Sequence, residues 1–180
     1  MCKAENSHAE PPIDGSSAAQ WGDPGSAADH VKVFGSVFTK PGQDGDFRWM
    51  LQEDIHPKAL YVFNDNDADH FKSHRGGGNA VIRPWNQYST LHCNFPRSAG
   101  VCTGWYAGSG GFQALDADTR RILDRDIAEI RYLLSTGRYD KLIYSASSRD
   151  INQLGTSTFE VAKEVKTYIV TAIFSWITKS

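Results

Sequence analysis

Residues 59–85 read ALYVFNDNDADHFKSHRGGGNAVIRPW, and their reading decides the fold. Ala59-Leu60-Tyr61-Val62-Phe63 is an unbroken apolar run of strand length. Such a run suits a strand covered on both faces, as in the parallel sheets of α/β proteins. The chain then turns polar at Asn64-Asp65-Asn66-Asp67 and reaches Gly76-Gly77-Gly78, followed by Asn79 and Ala80-Val81-Ile82. A buried strand carrying a polar tip to a loop without side chains is how open α/β sheets build ligand sites, in the crevice beyond the carboxyl ends of their strands.

Outward from this stretch, strand and helix patterns alternate. His30 to Phe38 predicts a first strand with Gly35 as a bend, and Lys40-Pro41-Gly42-Gln43-Asp44-Gly45 predicts the turn that ends it. Asp46 to Glu53 predicts a short helix with Phe47, Met50 and Leu51 on one face. Asn79 to Trp85 predicts a helical turn stopped by Pro84, and 86–98 a loop. Ala99 to Tyr106 predicts another strand, followed by a loop carrying Gly108, Gly110 and Gly111. From Leu115 to Thr136, Ile122, Leu123, Ile127, Ile130, Leu133 and Leu134 recur at helical steps, with Asp116 or Asp118 as cap and Gly137 as stop. Lys141 to Ala146 predicts a short buried strand. Ser157-Thr158-Phe159-Glu160 fits a capping box opening a last helix whose stripe is Val161, Val165, Tyr168, Ile169, Ala172, Ile173 and Trp176. The expected fold class is α/β: three layers, α/β/α, around a mixed, largely parallel sheet.

Composition narrows the function classes. The 180 residues suffice for one domain with a core. Residues 1–28, rich in Ala, Ser, Gly, Pro and Asp, read as a flexible arm bearing Trp21, which leaves 29–180 as a single domain. A net charge of -2 gives no basic footprint for nucleic acid. There is no apolar run of membrane-spanning length and no secretory leader. Three cysteines (Cys2, Cys93 and Cys102) without a C-x-x-C spacing argue against a disulfide framework or a zinc site. The expected compartment is therefore the cytoplasm, with the nucleus left open. No cofactor is implied, and the oligomeric state is not encoded in any visible pattern.

Several groups carry chemistry. Gly76, Gly77 and Gly78 remove three Cβ atoms in a row, so backbone N–H groups can approach a ligand. Leu154-Gly155-Thr156-Ser157-Thr158-Phe159 runs into the expected cap of the last helix, where free N–H groups would seat a phosphate. Asp65, Asp67, Asp69, His70 and His74 look metal-like, but His70 stands where a calcium loop needs glycine. A solvated acidic loop is the better reading, and no metal is expected. Asp124 and Asp126, among Arg120, Arg121 and Arg125, read as a solvated helix face, and Cys93 and Cys102 as ordinary buried thiols. The Rossmann, Walker and G-x-S-x-G patterns are absent.

The order of these parts is similar to that of macro domains. The shared features are the Asn64-to-Asp67 strand end, the Gly76-Gly77-Gly78 loop, and the Leu154-to-Phe159 turn before a final helix. The resemblance implies a three-layer α/β/α fold that binds ADP-ribose or a related nucleotide diphosphate. Some members also hydrolyse an ADP-ribosyl or phosphate bond. It would put Asn64 near the distal ribose, with Gly76, Gly77, Gly78 and Asn79 against that ribose and the phosphates. Gly155, Thr156, Ser157 and Thr158 would hold the diphosphate, with Phe159 beside the ribose. Catalysis would fall to Asn64, Asp65 or Asp67 holding a water against the anomeric carbon. Two other classes fit the same residues. One is a small-molecule enzyme acting on a sugar or nucleoside, its pocket lined by Trp85, Trp105, Tyr106 and Phe112 and its acid–base work done by His70, His74 or Asp65. The other is a non-catalytic module that meets a protein partner through exposed tryptophans.

Overall fold

The computed structural model describes residues 31–92, 95–156 and 159–175. The arm with Trp21, together with Cys2, Cys93, Ser157, Thr158 and Trp176, lies outside them. In chain order the elements are β1 (Lys32–Ser36), α1 (Phe47–Gln52), β2 (Ala59–Asn66), β3 (Ser98–Gly104), α2 (Ala117–Ser135), β4 (Lys141–Ser145) and α3 (Lys163–Phe174). Short 3-10 segments occupy Asp67–Asp69, Gly78–Trp85 and Thr90–His92. The protein is α/β, with the strands in the order β1-β4-β2-β3. Every strand pair is parallel, so the sheet is wholly rather than largely parallel.

The layers follow from the path of the chain. Parallel strands need right-handed crossovers, so steps in opposite directions along a sheet leave their connections on opposite faces. From β1 to β2 and on to β3 the chain steps one way, and α1 and the 3-10 helix lie on that face. Phe47, Met50, Leu51, Ala80 and Ile82 pack there against Ala59, Tyr61, Phe63 and Ile143. From β3 to β4 the chain steps back across β2. The connecting α2, with α3 after it, covers the other face: Ile122, Leu123, Ile130, Val165 and Ile169 pack on Leu60, Val62, Val101, Leu142 and Tyr144. Residues 59–63 of β2 are consequently buried throughout, as their unbroken apolar run predicts.

Four local expectations need correction. β2 runs on through Asn64-Asp65-Asn66, three residues past the apolar run 59–63. Gly35 is an ordinary strand residue; it is glycine because a Cβ would overlap the Ile151 carbonyl. Pro84 lies inside the 3-10 helix and does not stop it. The last helix starts at Lys163, with Ala162 as its cap and no side-chain capping bond, so Glu160 closes no capping box. Tertiary bonds claim the backbone there. The Ala162 N–H donates to the Phe112 carbonyl at 2.8 Å, and the Glu160 carbonyl accepts from Gln113 at 3.0 Å. α2 keeps its predicted caps: Asp116 accepts the Thr119 N–H at 2.9 Å, and Gly137 follows the helix at φ 70°.

Candidate functional site

β2 and β4 are neighbours whose chains leave the sheet toward opposite faces, the topology that in open α/β sheets places a ligand crevice at the carboxyl ends. Three segments meet there. The loop after β4 folds back so that the Gly155 N–H donates to the Ser145 carbonyl at 2.9 Å. A Cβ at Gly155 would overlap the Ala146 carbonyl, so only glycine permits that approach. From β2, Asn64 donates its Nδ2 to the Gly155 carbonyl at 2.5 Å. From the start of the 3-10 helix, Asn79 donates its Nδ2 to Ser145 Oγ at 3.2 Å and accepts the Phe47 N–H at 3.3 Å. Asn64 at the strand tip, Asn79 after the triple glycine and the Gly155 loop therefore share one neighbourhood.

Its chemistry is that of neutral amides and hydroxyls. Asn64 Oδ1 is buried and has no hydrogen-bond partner among the described residues. Gly77 and Gly78 have open space where a Cβ would stand, and Gly78 has φ 54°. Gly76 does different work. Its N–H donates to the Ala80 carbonyl, and a Cβ would press on Ala80 and the Arg83 guanidinium at 2.7 and 3.0 Å. Thr156 and Phe159 are half-buried, and Phe159 packs on the α2–α3 core. Because α3 begins at Lys163, Gly155, Thr156 and Phe159 stand ahead of its first turn and do not form the expected phosphate seat on a helix N-terminus, while Ser157 and Thr158 lie outside the described residues.

The two aspartates of the tip are both held by guanidinium groups. Asp65 is 4% exposed and pairs with Arg83, at 2.5 Å to Nη2 and 3.1 Å to Nε. It also accepts the Asn66 N–H. Arg83 in turn donates to the His74 carbonyl, which anchors the chain that enters the glycine loop. Asp67 pairs with Arg125 at 2.8 Å.

Beside the crevice lies a buried charged network. It overturns the expectation of a solvated acidic loop for Asp65 and His70, and of a solvated helix face for Asp126. His70 is 2% exposed and Asp126 fully buried. His70 Nε2 is 3.1 Å from Glu129 Oε2 and 3.4 Å from Asp126 Oδ1, and its Nδ1 faces Cys102 Sγ at 3.7 Å. Asp126 also accepts the Cys102 N–H at 2.7 Å and pairs with Arg125 at 2.7 Å. Tyr88 donates its hydroxyl to Glu129 at 2.6 Å. Burial opposes a charged His70, but Asp126 and Glu129 outweigh it and raise its pKa to about 9. His70, Arg83 and Arg125 thus face four carboxyl groups, those of Asp65, Asp67, Asp126 and Glu129, and burial pushes the Asp126 carboxyl up from its ordinary range. Burial pushes the Cys102 thiol well up, so it is an inert neutral thiol. His70, Cys102 and Asp126 lie within 4.8 Å of one another, but Arg125, in contact with both Asp126 and Cys102, already supplies the positive charge a cation would bring. His74 is exposed as expected of this loop, while Asp69 is half-buried and pairs with Lys72 and His74.

Sequence reasoning missed Arg83, Asp126 and Glu129. Two of them had a visible signal. Asp126 is four residues from both Ile122 and Ile130, and Glu129 is four before Leu133, so both fall on the buried stripe of α2. Arg83, between Ile82 and Pro84, had none.

Two cavities lie apart from the crevice. One, of about 250 Å³, sits among His56, Pro57, Lys58, Asp140 and Lys141 at the amino ends of β2 and β4. The other, of about 480 Å³, lies beside α3 at Leu115, Lys163, Glu164, Thr167, Tyr168 and Thr171. Neither borders Asn64. Comparison with known proteins finds no matching family model, no matching curated protein and no matching solved structure.

Proposed function

We propose that this chain is a macro-like domain that binds ADP-ribose or a related nucleotide diphosphate at the carboxyl ends of β2 and β4. One observation carries the reading: the Oδ1 of Asn64, buried and without a hydrogen-bond partner among the described residues, where β2 and β4 depart in opposite directions. A buried acceptor left unpaired costs about 1–3 kcal/mol, and a ligand hydroxyl would satisfy it. Neutral amides suit the hydroxyls of a ribose. The exposed backbone at Gly77 and Gly78 suits phosphate oxygens without needing lysine or arginine. The loop of Gly155 and Thr156, which is not a helix terminus, would flank the ligand opposite Gly77 and Gly78, and a cytoplasmic compartment would supply such ligands. Binding is the core of the proposal. Hydrolysis would require Asp67 to leave Arg125, or Asp65 to leave Arg83, before either could act as a base.

The test is a thermal-shift titration of wild type and Asn64→Leu with ADP-ribose. At 100 times its dissociation constant the ligand should add about 2.7 kcal/mol to the wild type. Asn64→Leu should lose that gain, and its ligand-free stability should fall by about 1 kcal/mol, because the Gly155 carbonyl loses the Asn64 Nδ2 donor. A wild type whose melting ADP-ribose leaves unmoved would sink the reading.

A further inference from the structure

The amino end of the sheet, opposite the crevice, is entered through basic residues. Lys32 opens β1, Lys141 opens β4, and Lys58 and Arg97 stand immediately before β2 and β3. All strand pairs are parallel, so these four cations gather at one end of the sheet. Arg97 is spent locally: it pairs with Asp54 at 3.0 Å and donates to the His56 and Ala59 carbonyls. Lys141 meets another basic group instead of a carboxylate, its Nζ lying 3.3 Å from His56 Nδ1. An ammonium has no acceptor, so Nδ1 accepts from Lys141 and the imidazole proton sits on Nε2. Burial, and after it the Lys141 charge, holds the His56 pKa below its ordinary value against the weaker pull of Asp44 and Asp140, which keeps the ring neutral at neutral pH.

His56, Lys58 and Lys141, with Pro57 and Asp140, line the cavity of about 250 Å³ at this end. Backbone hydrogen bonds tie its rim. The Asp140 N–H donates to the Lys58 carbonyl at 3.1 Å, the Ala59 N–H to the His56 carbonyl at 3.0 Å, and the Lys32 N–H to the Asp140 carbonyl at 3.0 Å. Asp140 brings the only carboxylate of the lining, and among the described residues it pairs with neither lysine. Two ammonium groups and a neutral imidazole N–H are donors, and the ammonium charge exceeds that of Asp140. We infer that this cavity is a second binding site, for a single oxyanion of the phosphate class, with Lys58, Lys141 and His56 donating to its oxygens. Lysine ammoniums serve such anions as point charges. The volume is below the range of about 300–1,000 Å³ usual for larger ligands, so the cavity suits a small ion and not a nucleotide. The site is independent of the proposed function, which lies at the other ends of β2 and β4.

The experiment is calorimetric titration of inorganic phosphate into wild type, Lys58→Met, Lys141→Met and Asp140→Asn, with chloride holding the ionic strength at about 0.15 M. Wild type should bind one phosphate saturably. Each lysine variant should bind it about tenfold more weakly, the loss of one charge-assisted hydrogen bond. Asp140→Asn should bind it more tightly than wild type, because a like charge leaves the lining. Methionine keeps the apolar stem of each lysine, and Lys58 is exposed, so Lys58→Met keeps the test open if β4 does not tolerate the change at Lys141. Absence of saturable phosphate binding in wild type would overturn the inference. Binding that survives undiminished in both lysine variants would place the anion elsewhere and overturn it too, as would weaker binding in Asp140→Asn.

Discussion

His70 is a charged imidazole in a place where burial alone would neutralise it. Its pKa is about 9 in the fold against about 6.5 in the unfolded chain. A raised folded value means that the native state holds its proton more tightly. The stabilisation is therefore complete below about pH 6.5 and is lost as pH climbs through about 9. Urea unfolding of the wild type should show stability falling by up to about 3 kcal/mol between about pH 6 and pH 9.5. His70→Gln, which cannot carry the charge, should be weaker at the lower pH and should flatten that slope. An equally steep slope in His70→Gln would assign the dependence to another group. Gly100 is a second single-residue test. A Cβ there would stand 2.5 Å from Asp65 Oδ2, inside the buried pair with Arg83. Gly100→Ala should cost about 2–4 kcal/mol in denaturant unfolding, because it either pries the ion pair apart or shifts β3.

At the scale of elements, legibility depended on whether local pattern or tertiary contact set the answer. β2, β3, β4 and α2 were readable because buried runs and helical steps leave their mark in the sequence itself. The start of α3 was not. Ser157-Thr158-Phe159-Glu160 has the right letters for a cap, yet the backbone of 160–162 is spent on the β3–α2 loop. That contact bridges about fifty residues of sequence and leaves no periodicity behind. The candidate site divides in the same way. Asn64 and the two glycine stretches could be picked out by residue type, whereas the hold of Arg83 on Asp65 and of Arg125 on Asp67 needed the fold. The loop–loop contact is itself testable at Gly111, where a Cβ would overlap the Glu160 carbonyl and crowd Val161. Gly111→Ala should lower stability by roughly 1–3 kcal/mol, the usual cost of overpacking. Calorimetry should show the drop, and an unchanged melting temperature would mean that the loops slide apart freely.

Across the whole molecule, a buried charged network joins the layers at the carboxyl end of the sheet. Arg83 comes from the α1 face and Asp126 and Glu129 from α2, and Asp65 and His70 sit between them above the strand ends. Beneath this bridge, β2 is flanked by β4 and β3 and covered on both faces, while β1 is a half-exposed edge. Opening β2 therefore requires both apolar cores and the charged bridge to come apart, whereas β1 can open against β4 alone. Native-state hydrogen exchange should follow that order. Amides in β2 should exchange only through global unfolding, with the denaturant dependence of the full transition, and those of β1 through smaller openings. ADP-ribose, if it seats as proposed, should slow the amides it covers around Gly77, Gly78 and Thr156 beyond the uniform rise that ligand linkage gives the core. Equal protection in β1 and β2 would contradict the layered account, and a uniform rise without that local excess would move the ligand away from the crevice.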